Sequence, residues 1–105
     1  MATFFNQTVR NIDTAEVTAV TSSSDTTIVL SVLVANKNAA AQSVTTVRKD
    51  GSSNEQGYLA YEITVPAGSS VDLLANKYIF PSGHTLRFSS STSGTLDAQI
   101  SYVVL

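Results

Sequence analysis

The longest nearly unbroken apolar run in the chain is residues 26–36, TTIVLSVLVAN. Read as a strand, it puts Ile28, Leu30, Val32 and Val34 on one face and Val29, Ser31, Leu33 and Ala35 on the other, all apolar or small. A strand apolar on both faces is expected in the middle of a structure, packed above and below. Periodicity alone does not separate a strand from a buried helix over so short a run. The β-branched residues, and the Ser, Thr and Asp that precede them, favour strand, with 27–35 as a central one.

Shorter and weaker strands surround this one. Residues 7–12 and 16–21 alternate loosely, and Ser22 to Asp25 breaks the pattern. Residues 43–49 carry Val44 and Val47 out of strict alternation, which predicts a bulge or an edge position. Asp50-Gly51 is a turn signal, and it opens the polar loop DGSSNEQG, residues 50–57, the segment expected to be flexible. Residues 58–65 are the cleanest alternation, with Leu59, Tyr61, Ile63 and Val65 against Tyr58, Ala60, Glu62 and Thr64. Pro66-Ala67-Gly68 then turns the chain, with glycine placed for the positive φ of a type II turn. Residues 70–74, 78–80, 84–89 and 96–105 complete the set, with turns at 75–77, 81–83 and 90–95. The sum is an all-β chain: a single antiparallel β-sandwich of Ig-like or jelly-roll type, with eight or nine short strands. Leu30, Val32, Leu59, Ile63, Leu86, Phe88 and Ile100 are the expected core.

At 105 residues the chain reads as one domain, 1–105, in which residues 1–6 form an N-terminal arm. Phe4 and Phe5 on that arm either fold back onto the core or reach a neighbouring subunit. There is no Cys, so neither a disulfide nor a thiolate metal site can form. No run reaches the roughly 20 apolar residues of a membrane helix, and the N-terminus shows no signal peptide. The six cations, Arg10, Lys37, Arg48, Lys49, Lys77 and Arg87, are scattered, unlike the basic stripe that nucleic acid requires. With 13% charged residues and abundant Ser and Thr, the surface is one of hydroxyls, which docks without stripping many ions of water.

Candidate chemistry is sparse. His84 is the only histidine, it follows a Pro-Ser-Gly turn, and no G-x-S-x-G elbow accompanies it. Zinc takes three or four protein ligands, which one His without Cys does not supply. Asp50, Asn54 and Glu55 cluster oxygens on one loop, but not at the alternate positions of a calcium-binding EF-hand. Glu62 is the only acid well inside a predicted strand and has no assignable partner for glycosidase chemistry. No catalytic, metal or cofactor site is expected. Among the tyrosines, Tyr61 and Tyr102 fall on core faces, which leaves Tyr58 as the candidate platform for a sugar ring.

The segment YLAYEITVPAGSSVDLLANKYIFPSGHTLRFSSSTSGTLDAQISYVVL, residues 58–105, resembles a family of small structural proteins of tailed bacteriophages. The features that carry this are the aliphatic strand, VPAGSSVDLL, the Gly-containing turn into HTLRF, and the terminal SGTLDAQISYVVL; with TTIVLSVLVAN upstream, the likeness spans residues 14–105. The resemblance implies a non-enzymatic virion protein that decorates or cements the capsid or forms part of the neck or tail. Its implied partners are other virion proteins (major capsid or neck and tail proteins) and further copies of itself, with no nucleic acid, membrane or cofactor. Its implied location is the virion, after synthesis in the bacterial host cytoplasm. The arm and the 50–57 loop are the least typical parts, so Phe4, Phe5, Asp50, Asn54 and Glu55, together with Tyr58 at the start of the next strand, are the candidate contact residues. The alternative is a carbohydrate- or receptor-binding module of a phage fibre, built on Tyr58.

Overall fold

A computed structural model describes residues 2–22, 26–74 and 76–105; residues 23–25 and 75, in two of the expected turns, lie outside this set. The described residues form nine strands and no helix: β1 (Thr3–Val9), β2 (Val17–Thr21), β3 (Thr27–Asn36), β4 (Gln42–Lys49), β5 (Glu55–Val65), β6 (Ser70–Asp72), β7 (Tyr78–Phe80), β8 (Thr85–Ser90) and β9 (Leu96–Val104). The first sheet runs β1-β9-β3-β6, with β7 also on β3; the second runs β2-β8-β4-β5. Every pairing is antiparallel. Short β6 and β7 share one edge of β3, covering Leu33–Ala35 and Thr27–Val29 respectively. This alternation of the chain between two four-strand paths is the jelly-roll arrangement, and it decides between the two sandwich types.

The strand at residues 27–35 is central, flanked by β9 on one side and β6 and β7 on the other. It is not packed on both faces. A two-layer sandwich covers only one face of each sheet. An extra residue at Leu30, where the β9 register steps from Val29–Tyr102 to Ser31–Ser101, changes the phase within the strand. Val29 points inward before the step, and Val32 and Val34 after it, while Leu33 is 41% exposed. Between the sheets these valines meet Phe80, Leu86, Phe88 and Ile100, all buried. Buried Asn36 satisfies its amide by donating to the carbonyls of Ala40 (2.9 Å) and Val65 (3.0 Å) and accepting from Asn38 N–H (2.8 Å). It thereby ties the β3–β4 turn to the end of β5.

Of the expected core, Val32, Leu86, Phe88 and Ile100 are fully enclosed; Leu30 and Leu59 are half-buried and Ile63 is 41% exposed. The departures in β5 share one cause. Eleven residues of β5 oppose eight of β4, and the register shifts three times along the pair. Each step reverses which side chains face the core, so Ala60 and Val65 are buried while Tyr61, between them, is 60% exposed. At one step Glu62 takes φ 49° and its N–H donates to Thr45 Oγ1 at 3.1 Å instead of to the backbone ladder.

Candidate functional site

The candidate residues fall on two surfaces, one on each sheet. Phe4 and Phe5 belong to β1, which pairs with β9 along its whole length, from Thr3–Val104 to Val9–Ala98. The Phe5 ring stacks on Tyr102 at 5.3 Å between centroids, near the core edge. Phe4 points the other way, onto the outer face of the first sheet, and is 72% exposed. There it starts a cross-strand row: Phe4 stands opposite Val103, Val103 opposite Ile28, and Ile28 opposite Ile79. Side chains directly opposite one another share a face, so four apolar residues from β1, β9, β3 and β7 lie side by side. Ile79 is 69% exposed, while Val103 is buried among its neighbours. The next positions along this face are polar: Asn6 donates to Ser101 Oγ at 3.1 Å.

Asp50, Asn54, Glu55 and Tyr58 lie at the β4–β5 hairpin of the second sheet, so no single site unites them with Phe4 and Phe5. The hairpin loop closes on itself. Asp50 Oδ1 accepts from the N–H groups of Ser52 and Asn54, both 2.9 Å, and Oδ2 accepts from Gln56 Nε2 at 3.2 Å. The hydrogen bond from Asn54 N–H is the chief reason that the Asp50 carboxyl is held below the usual carboxylate range. Those oxygens already carry N–H donors, which a bound cation would have to displace. Among the described residues no group of three acids or histidines is placed to hold a metal. Glu55 instead accepts the Tyr58 hydroxyl at 2.7 Å, which pushes the Tyr58 phenol up.

Tyr58 and Tyr61 do not lie on opposite faces, as uninterrupted alternation would require. The bulges bring their rings edge to face at 4.9 Å on the outer surface. Cross-strand neighbours extend this face as Tyr58, Val47, Arg87 and Thr18. Glu16 lies beside it, 2.6 Å from Lys49 and 3.9 Å from Arg87. Arg48 donates to the Tyr78 hydroxyl at 2.7 Å and Lys37 pairs with Asp97 at 3.0 Å, so four of the six cations are held by intramolecular partners. His84 meets the Phe80 ring edge-on, and its buried Nδ1 has no hydrogen-bond partner, so no carboxylate orients the imidazole through that nitrogen. No pocket is found among the described residues. Sequence reasoning passed over Tyr61, Ile28, Ile79 and Val103. The signal for Ile79 was present in Tyr78-Ile79-Phe80, where strand geometry turns the middle residue away from its neighbours.

The chain therefore belongs to the jelly-roll sandwiches, an architecture shared by viral capsid domains, lectins and cupins. No family model and no curated protein sequence matches it. Among solved structures it is similar to a chain of the T13 particle of infectious bursal disease virus, at 9% identity and TM-score 0.59, covering 98% of this chain and 30% of that one. It is also similar to a chain of the Gx strain of that virus, at 8% identity and TM-score 0.60, covering 100% and 33%. The chain thus spans about a third of the length of these viral chains. A third likeness is to a disulfide-linked pilus chain of Bacillus endospore appendages, at 15% identity and TM-score 0.53, covering 99% of this chain and 88% of that one. At such identities the likeness is one of fold.

Proposed function

We propose that this protein is a non-enzymatic structural subunit of a virion, a tailed-phage protein that decorates or cements the capsid or forms part of the neck or tail. The observation that carries this reading is the apolar row Phe4–Val103–Ile28–Ile79 on the solvent face of the first sheet. A row of this kind marks a surface with a protein partner. Four of the six cations are held by intramolecular partners, which accords with a surface used for protein contact. The fold's occurrence in viral particle and pilus chains supports the same reading. Its partners are other virion proteins and further copies of itself, and repeated contacts in a symmetric lattice allow each one to be weak. Residues 1–105 act as one domain, and the protein is made in the host cytoplasm before joining the particle. Particles purified from infected cells should contain it in symmetry-related copy number, and Phe4→Lys with Ile79→Lys should release it. Failure to co-purify with any particle would end this reading.

A second reading rests on the Tyr58–Tyr61 pair beside Arg87 and Glu55. Exposed aromatic faces with flanking polar groups suit a sugar ring, as in a receptor-binding module of a fibre. Glycan binding by the isolated chain that disappears in Tyr58→Ala and Tyr61→Ala would replace the first reading with this one.

A further inference from the structure

Two stacked sheets expose four outer edges, and three of them are blunted. The β5 edge carries three register shifts and the positive φ of Glu62. The β2 edge is five residues long with a shift between Thr18 and Val20. The edge formed by β6 and β7 is broken into two three-residue pieces. The β1 edge differs. Seven residues, TFFNQTV, pair with β9 without a single register shift and contain no Pro, no Gly and no ionisable side chain. Its other side has no strand partner among the described residues, because β1 ends the sheet order. Natural sheets protect long flat edges with charges, bulges or proline, since unpaired N–H and C=O groups recruit further strands.

We propose that this edge is a self-pairing site, at which β1 of a second copy adds antiparallel and joins two five-stranded sheets into one. A second copy fits better than an unrelated strand because Thr3–Val9 is neutral throughout. Two-fold pairing therefore brings no like charges together, although the chain as a whole carries −2. Full overlap of the seven residues places Asn6 opposite Asn6 of the second copy, Phe4 opposite its Thr8, and Phe5 opposite its Gln7. The Asn6 and Phe4–Thr8 pairs match outer face with outer face, and the Phe5–Gln7 pair matches inner face with inner face, as the pleat requires. The exposed ring of Phe4 then lies over the second copy's strand. This contact deepens the proposed assembly role and rests on it for its use, but its existence is testable apart from any particle.

Light scattering of the purified chain over a concentration series should give twice the mass of one chain. Asn6→Lys and Asn6→Glu, each at an exposed position, should separately give one-chain mass with unchanged circular dichroism, and their mixture should restore the doubled mass. Amide exchange at β1 should slow in the dimer and quicken in either variant. Single-chain mass at every concentration overturns the proposal, as does a dimer that survives Asn6→Lys but not Ile79→Lys. A monomer that still joins particles removes the β1 contact and leaves the assembly role. A dimer that joins none supports the contact and removes the virion reading.

Discussion

Phe88 stands opposite Val17 on one side and Thr46 on the other and has no exposed surface. Phe88→Ala should cost about 3–5 kcal/mol, read from the midpoint of chemical unfolding. Ile63→Ala, at a half-exposed edge position, should cost about 1 kcal/mol or less in the same assay. Equal costs would mean that exposure is not what separates them. Asp97 shows a different kind of residue-level control. Burial pushes its carboxyl up, but hydrogen bonds from Asn11 N–H (2.8 Å) and Lys37 Nζ (3.0 Å) outweigh this and leave it below the usual carboxylate range. A depressed carboxyl contributes stability at pH values above its ordinary range and loses it as pH falls through the folded value. The stability gap between the native chain and Asp97→Asn should thus be full at neutral pH and shrink below about pH 4. A gap that held constant through acid would show that the charge is not what Asn11 and Lys37 recognise.

At the scale of elements, unbroken alternation was legible and interrupted alternation was not. Residues 84–89 and 96–100 keep one phase over their buried positions, and Leu86, Phe88 and Ile100 fall where their spacing puts them. In β5 a glycine marks the shift at Gly57, but no residue type announces the one beside Tyr61, where Glu62, not Gly or Asn, takes the left-handed conformation. That is why Tyr61 was read as core, and why the Tyr58–Tyr61 pair stayed hidden. Residues 50–57, the loop expected to be flexible, carry hydrogen bonds to Asp50, a role Asp often takes at the first position of a turn. Phe4 precedes any strong pattern, so the sequence left it open between the core and a neighbour, and only its place in β1 turns it to the outer face. If the Glu62 bulge is fixed by its neighbours, Glu62→Gly should be close to neutral and Glu62→Val should cost about 1–2 kcal/mol more, because a β-branched residue resists positive φ. Val at least as stable as Gly in thermal unfolding would mean that the bulge had moved.

At the scale of the molecule, β9 is the inner strand that joins the edge strand β1 to the central β3. Removing residues 1–9 would leave the cores of both sheets in place but uncover a regular nine-residue edge on β9. The shortened chain should fold yet precipitate or form higher oligomers, where the full chain stops at a defined size. A soluble monomeric truncation would show that β9 tolerates a free edge.

The pairing of Thr3 with Val104 also sets a timetable. β1 is synthesised well before β9, the strand it pairs with. At about 5–20 residues per second, Phe4 and Phe5 wait roughly 5–20 seconds for the strand they lie against. During that interval neighbouring nascent chains on one message offer each other the same uncharged, unpaired segment. Two copies can therefore meet through β1 before either has made its own β9, and the order of translation then bears on which strand β1 pairs with first.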